Sequence, residues 1–71
     1  MKLRFTRRQE DILDLLRAKR YSNKEIGAML HISESTVKYH IRLLLAKTRL
    51  ADRDELTDWA RERGRLWERT S

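Results

Sequence analysis

Residues 22–41 read SNKEIGAMLHISESTVKYHI, and this stretch contains two helix starts separated by a short turn. Ser22 followed three residues later by Glu25 is a capping box, in which each side chain satisfies a free backbone N–H group of the other residue. Ser33 is also a residue type that caps helix N-termini, and it lies only eleven residues after Ser22. The stretch therefore predicts two helices in close succession.

The two predicted helices, over about residues 23–30 and 34–48, differ in length and in apolar content. The shorter one has its larger apolar side chains at Ile26, Met29 and Leu30, and so short a helix is not stable in water by itself. Two helices joined by a turn of three or four residues are the outline of a helix-turn-helix. This arrangement is what the opening stretch predicts.

The longer helix has two different faces when its residues are placed at 100° steps. The packing side carries Val37, His40, Ile41, Leu44 and Leu45. The opposite side carries Ser35, Lys38, Tyr39 and Arg42. Beyond Glu34 this helix has no acidic residue, whereas an ordinary solvent-exposed helix face mixes acids and bases. The pattern favours a surface that contacts phosphates and base edges.

A further helix is predicted on the N-terminal side of this pair. Thr6 and Gln9 form another capping box. The apolar residues that follow at helical spacing are Ile12, Leu13, Leu15 and Leu16. We expect this first helix over about residues 7–19.

A fourth helix is predicted on the C-terminal side. Asp52 with Glu55 forms its capping box, and Gly64 is expected to end it, so the helix should span about residues 53–63. The chain contains no proline and its periodicity is helical throughout. The expected fold class is therefore all-α, with four helices.

Length and composition set limits on the class of protein. At 71 residues the chain is expected to form a single domain with a small core. It has no cysteine and no apolar run long enough for a membrane span or a signal core, which favours a cytoplasmic protein. No cofactor or metal site is predicted, and no nucleophile accompanies the acidic residues near the C-terminus, so an enzyme is not expected.

Positive charge is concentrated in the first two thirds of the chain. Residues 1–21 carry seven basic and three acidic residues, residues 22–50 carry five and two, and residues 51–71 carry five and six. The formal net charge of +6 indicates a polyanionic partner. Residues 51–71 have no excess of basic over acidic residues, so we expect them to serve a purpose other than binding the polyanion.

Four motifs follow one another along the chain: FTRRQEDIL (5–13), SNKEIG (22–27), ISESTVKYHI (32–41), and Lys47 with Arg53 of ADRDEL (51–56). Together they resemble the LuxR/GerE-type DNA-binding domain of bacterial transcription regulators. Each motif is weak when taken singly, but their order and near-family spacing are specific. The resemblance covers about residues 5–64 and implies a four-helix, double-stranded DNA-binding fold.

The chain departs from the family pattern at Gln9, at Thr48 and Arg49, and at Gly27. Gln9 replaces the common glutamate but keeps the capping chemistry. Thr48 and Arg49 stand where leucine and then glycine or asparagine are common, so the third helix is expected to run on or fray. Gly27 stands where alanine is common, and we expect close helix packing there.

The resemblance implies roles for two sets of polar residues. The expected base-reading residues, at the third helix, are Glu34, Ser35, Lys38, Tyr39 and Arg42. The expected phosphate contacts are Ser22, Asn23, Lys24, Thr36, His40 and Lys47. The first set would determine DNA sequence preference, whereas the second would position the protein on the duplex.

The resemblance also implies a homodimer formed through the fourth helix. The expected interface residues are Leu56, Trp59, Ala60, Arg63 and Trp67. RNA polymerase is a further candidate partner, and no membrane partner is expected.

Two other functions remain open from the sequence. One is a sigma-factor-like promoter-reading module, although that module does not require the helix predicted for ADRDELTDWA (51–60). The other is a protein-interaction adaptor whose basic surface binds an acidic partner. The sequence does not determine the target DNA, the regulating signal, activation or repression, the free oligomeric state, or whether the chain is one domain of a longer regulator.

Overall fold

The computed structural model describes the backbone of residues 4–70 and the side chains of residues 4–63. Its four helices are α1 (Arg7–Ala18), α2 (Asn23–Leu30), α3 (Glu34–Thr48) and α4 (Arg53–Thr70). Residues 4–70 contain no strand, and the predicted all-α, four-helix fold is confirmed. In this part of the chain, no helix combines the length and the apolar character that a membrane span needs.

The capping boxes of α1 and α2 form as predicted. At α1, Gln9 N–H donates to Thr6 Oγ1 at 3.2 Å and Thr6 N–H donates to Gln9 Oε1 at 3.0 Å. At α2, the N–H groups of Glu25 and Ser22 donate reciprocally to the Ser22 hydroxyl and the Glu25 carboxylate, at 3.1 and 2.9 Å. These bonds satisfy N–H groups that a helix start leaves unpaired.

The start of α4 differs from the predicted capping box. Asp52 Oδ1 accepts from Glu55 N–H at 2.9 Å, as expected of an N-cap. The Glu55 carboxylate, however, accepts from the N–H of Ala51 at 2.8 Å and not from that of Asp52. The reciprocal bond is therefore shifted by one residue toward the N-terminus.

Two helix ends differ from the predicted ones, by one residue at α1 and by seven residues at α4. α1 stops at Ala18, because Lys19 has extended backbone angles (φ −162°, ψ 164°). α4 continues through Gly64 to Thr70. Glycine inside a helix costs only about 1 kcal/mol relative to alanine, so it does not by itself end a helix.

α3 ends where its predicted range of about residues 34–48 ends, and it does not run on past that range. α3 stops at Thr48, and Arg49 takes the left-handed conformation, with φ 60° and ψ 31°. The N–H groups of Arg49 and Leu50 both donate to the carbonyl of Leu45, the latter at 3.2 Å. These two bonds satisfy the Leu45 carbonyl at the end of the helix, and they hold a non-glycine residue in a conformation that usually requires glycine.

The core is formed by one face of each helix. Its buried apolar residues are Ile12, Leu13, Leu16, Ile26, Val37, Ile41, Leu44, Leu56 and Ala60. Leu15 and Leu45 pack at its edge, whereas Met29 is 41% exposed. α1 packs mainly against α4, and α2 packs mainly against α3.

Gly27 lies where α2 passes closest to the turn before α3. A Cβ atom at this position would lie 2.6 Å from the carbonyl oxygen of Ile32, which is a backbone atom and cannot rotate away. The carbonyl of Gly27 also accepts from the Ile32 N–H at 2.9 Å. The expected close packing at Gly27 is therefore present and fixes the position of α3 relative to α2.

Candidate nucleic-acid interface

The outer face of α3 carries the five predicted base-reading residues. All five side chains are exposed to solvent: Glu34, Ser35, Lys38, Tyr39 and Arg42. Val37 and Ile41, on the opposite side of the helix, are buried in the core. The core contacts of α3 therefore leave this face uncovered, and we call these five residues the outer face below.

The charged groups of the outer face are only partly paired within the protein. Lys38 Nζ lies 3.6 Å from Glu34 Oε2, one helical turn away, and both side chains are about half exposed or more. Such a pair is weak in water, so it can open at a small cost. Arg42 forms no ion pair with any described residue. The face thus presents two cationic groups and one carboxylate.

Tyr39 gives the outer face an apolar component. Its side chain is 54% exposed, and its ring lies 5.7 Å from the ring of His40. One turn later, Leu43 is also 37% exposed. Apolar groups at such positions can contact thymine methyl groups or the sugar edge of a duplex.

The start of α2 brings together three of the predicted phosphate contacts, but only part of it is free. Asn23 Oδ1 accepts from Arg53 Nε at 3.0 Å, and Arg53 Nη2 donates to the carbonyl of Tyr21 at 2.6 Å. Arg53 thereby joins the start of α4 to the start of α2. Lys24 is exposed and forms no ion pair with a described residue. At this helix start, the backbone N–H groups of Asn23 and Lys24 have no partner within the helix.

The capping box at α2 also places a carboxylate beside Ser22. The backbone N–H and the hydroxyl group of Ser22 lower the pKa of Glu25, which therefore remains ionised at neutral pH. The Ser22 N–H and hydroxyl are already used within this box. Among the three predicted contacts here, Lys24 is therefore the most accessible to a phosphate.

The other three predicted phosphate contacts lie along one flank of α3. Thr36 Oγ1 lies 2.8 Å from Ser33 Oγ, so its hydroxyl is engaged in the N-cap. His40 is half-buried, and its Nδ1 atom is buried without a hydrogen-bond partner among the described residues. Lys47, in the last turn, is exposed.

Lys47 holds the N-terminal segment against α3. Its Nζ donates to the carbonyl of Arg4 at 2.7 Å and to Oε1 of Gln9 at 3.2 Å, and it lies 5.3 Å from the centre of the Phe5 ring. All three partners are uncharged. Lys47 therefore has its position fixed within the protein without losing its charge.

Phe5 connects this segment to α4. Its ring meets the Trp59 ring edge-on, with centroids 5.8 Å apart, and the Arg63 guanidinium lies 5.1 Å above it. Arg63 also donates two hydrogen bonds to the Glu10 carboxylate, at 2.8 and 3.1 Å. These bonds lower the pKa of Glu10. The result is a contact cluster between the N-terminal segment, α1 and α4.

The predicted dimer interface requires a correction. Leu56 and Ala60 are fully buried in the core of the protomer, so their side chains offer no surface to a second copy. Trp59 and Arg63 are half-buried against Phe5, which leaves only part of each accessible. Trp67 lies outside the residues whose side chains the structure describes. The apolar stripe of α4 packs on α1 and α3 within the protomer.

Sequence reasoning missed the contacts that join residues far apart in the chain. Gln9 and Lys47 are 38 residues apart, and Arg53 and Asn23 are 30 residues apart. No local pattern indicates such pairs. The only available signal was the resemblance, which singled out Lys47 and Arg53 but did not indicate their partners within the protein.

Comparison with known proteins agrees with this geometry. The family model for bacterial regulatory proteins of the luxR family, GerE, matches residues 3–60. The uncharacterized transcriptional regulatory protein YhcZ of Bacillus subtilis (strain 168) is 54% identical over 50 residues, which cover 70% of this chain and 23% of that protein. Response regulator protein VraR of Staphylococcus aureus (strain Mu3 / ATCC 700698) is 44% identical over 55 residues, which cover 78% of this chain and 26% of VraR. No solved structure gives a significant match.

The chain spans about a quarter of the length of these curated relatives. The family match, by contrast, includes α1, α2, α3 and the first half of α4. A helix-turn-helix whose outer face is exposed and carries two cationic groups and one carboxylate is consistent with that match. This chain therefore belongs to the luxR family of bacterial regulatory proteins and is a GerE-type DNA-binding domain of a transcription regulator.

Proposed function

We propose that the chain is a single domain that binds double-stranded DNA in a sequence-specific way, with α3 in the major groove. The observation that carries this proposal is the outer face of α3, whose five polar or aromatic side chains are all exposed while the opposite side is buried. The groove of B-DNA admits one helix, and the N-terminal residues of that helix approach the base edges.

The outer-face residues would have different roles in base recognition. Glu34 can accept from a cytosine amino group, and Lys38 can donate to guanine N7 or O6. The weak ion pair between these two residues would open on binding, since each then gains a partner in the groove. Tyr39 would contact a thymine methyl group or donate its hydroxyl to a phosphate, while Ser35 and Arg42 complete the set.

Six residues would hold the domain on the DNA backbone: Ser22, Asn23, Lys24, Thr36, His40 and Lys47. Lys24 and Lys47 have exposed charges without an acidic partner among the described residues, so they should contribute most. His40 would have to use Nε2, because its Nδ1 is buried. Asn23 would act chiefly through its backbone N–H group at the start of α2. The N–H groups of Ser22 and Thr36 are bonded within their helix caps, so these two residues would contribute through their hydroxyl groups.

A homodimer through α4 is part of the proposal, although with a smaller set of contacts than the sequence indicated. With Leu56 and Ala60 in the core, the contact would use the accessible parts of Trp59 and Arg63, together with Trp67. The last third of the chain lacks the excess of basic residues seen elsewhere, which suits a protein contact better than a phosphate contact. A contact of one surface with its own copy produces a two-fold axis.

The similarity to YhcZ and VraR supports a role in transcription regulation. One is named as a transcriptional regulatory protein and the other as a response regulator protein. We propose that this chain is the DNA-binding part of such a regulator, and RNA polymerase is a candidate partner at the promoter.

Salt dependence separates DNA binding from the adaptor alternative. For a duplex selected from random DNA, log Kd should rise with log salt by roughly 0.9 for each phosphate that the protein contacts. An adaptor would bind an acidic protein and leave the duplex unbound at every salt concentration. Absence of duplex binding at low salt would therefore refute the proposed function.

Two matched variants test the assignment of base-reading and phosphate-contacting residues. Lys38→Met should cost about 1–3 kcal/mol on the selected site and relax the preference at one base pair. Lys47→Met should weaken binding to all sequences about equally and reduce the salt slope by about 0.9. Methionine keeps most of the apolar stem in both cases. A uniform loss from both variants in competition with single-base-pair variants would refute the assignment of Lys38.

The dimer is tested by stoichiometry and by half-site spacing. Two protomers should bind each selected site, as inverted half-sites centred about 10 base pairs apart. Moving the half-sites by about five base pairs should abolish joint binding, because the second site then faces the other side of the duplex. One protomer per site, or affinity unchanged by that shift, would rule out the dimer on DNA.

A further inference from the structure

Gln9 has two bonding partners that belong to different parts of the fold. It is the one buried polar side chain among residues 4–63, and only 5% of its surface is exposed. Its Oε1 atom accepts from the N–H of Thr6, which completes the cap of α1, and also from Nζ of Lys47 in α3. A single buried oxygen therefore connects the start of α1 to the proposed phosphate contact.

The remaining contacts of Lys47 are neutral as well. Nζ donates to the backbone carbonyl of Arg4, and it lies over the ring of Phe5. No carboxylate of the described residues forms an ion pair with it. The ammonium group has three N–H donors, and the two acceptors use two of them. One donor and the full charge remain for a phosphate.

The amide of Gln9 is not required by the capping box. Glutamate at the same position serves a capping box equally well, since the carboxylate also accepts from the N-cap N–H. A carboxylate here would lie at the same distance from Lys47 Nζ and would form an ion pair with it. Glutamine and glutamate at position 9 therefore differ in the net charge that they give to the surroundings of Lys47, but not in their ability to cap α1.

We infer that Gln9 is a positioning residue for DNA binding, because its neutral amide oxygen holds Lys47 in place without cancelling the charge that contacts a phosphate. Glutamate at this position would hold the lysine as firmly, but would compete with the phosphate for it. This inference rests on the proposed phosphate contact of Lys47.

Gln9→Glu in the full chain is the direct test. We expect lower affinity for a fixed duplex and a salt slope reduced by up to about 0.9, because one fewer counter-ion is released. The affinity ratio between wild type and variant should therefore narrow by about threefold as salt rises from about 50 to 200 mM. A thermal melt of the free variant, expected to match or exceed the wild type, shows that the fold is retained.

The same substitution in a Lys47→Met background is the essential control. If Gln9 acts through Lys47, Gln9→Glu should change the affinity and the salt slope much less in that background. An equal loss in both backgrounds would mean a general effect of negative charge and would overturn the inference. If Lys47→Met alone leaves the salt slope unchanged, the proposed phosphate contact itself fails, which is a distinct result.

Gln9→Met separates the charge of this side chain from its hydrogen bond. Methionine removes the acceptor without adding a charge, so the salt slope should stay near the wild-type value, and affinity should fall less than in Gln9→Glu. An equal loss of affinity and slope in the two variants would overturn the claim that neutrality at this position matters.

Discussion

Arg49 occupies a backbone conformation that an L-residue adopts only at a cost, and its replacement by glycine should stabilise the domain. The left-handed conformation (φ 60°, ψ 31°) costs a non-glycine residue about 1–2 kcal/mol. Glycine removes this cost, but it makes the unfolded chain more flexible, which offsets about 0.4–1 kcal/mol of the gain. The expected net gain in the free energy of unfolding is about 0.5–1 kcal/mol.

The side chain of Arg49 contributes little to this balance. It is exposed and forms no ion pair with a described residue. A gain of this size should raise Tm by about 2–8 °C, since 1 kcal/mol corresponds to about 4–8 °C in a domain of 60–100 residues. Thermal and urea unfolding, followed by helical circular dichroism, would measure both quantities.

Two control variants separate the backbone effect from other consequences of the substitution. Arg49→Ala removes the same charge but keeps a Cβ atom, so it should give little or no stabilisation. Ala46→Gly places glycine at an exposed position inside α3 and should cost about 1 kcal/mol. If Arg49→Gly is no more stable than Arg49→Ala, the end of α3 is not strained as described.

Two further predictions concern stability. Arg63→Gln should lower the free energy of unfolding by up to about 1 kcal/mol at neutral pH, because it removes the ion pair with Glu10. The loss is small since both partners are more than a third exposed. The bond lowers the folded-state pKa of Glu10 below 4.5, so this contribution is present above pH about 4.5 and is lost as pH falls through the folded pKa. In urea unfolding from pH 7 to 3, the unfolding free energies of the two proteins should therefore converge. A difference that stays constant with pH would contradict the pairing. Leu56→Ala should lower the free energy of unfolding by about 2–5 kcal/mol, because the side chain is fully buried within the protomer. A loss below about 1 kcal/mol in urea unfolding would instead place Leu56 outside the core.

The sequence by itself determined the elements that depend on neighbouring residues. The capping boxes at Thr6 and Ser22 are local patterns, because each joins residues three positions apart. The division of α3 into a buried side and an exposed side also follows from helical periodicity alone, and the structure confirms it for Val37 and Lys38. Local geometry is sufficient for these features, so the sequence predicted them.

Only the tertiary structure decided which surface of α4 remains available. Periodicity shows that Leu56 and Ala60 share a face of the helix, but it does not show whether that face meets the same protomer or a second one. α1 and α3 cover it, and the proposed interface becomes smaller. The apolar pattern is the same in both cases, which is why the sequence could not distinguish them.

The helix ends and the environment of Lys47 were decided in the same way. Arg49 takes the left-handed conformation because two hydrogen bonds to the Leu45 carbonyl outweigh the preference of a non-glycine residue for negative φ. Residue propensities alone do not include these hydrogen bonds. The partners of Lys47 lie 38 and 43 residues away in the chain, so folding alone brings them together. The sequence identified Lys47 as a candidate phosphate contact. The packing of α1 against α3 determined that the hydrogen-bond acceptors of its ammonium group are uncharged.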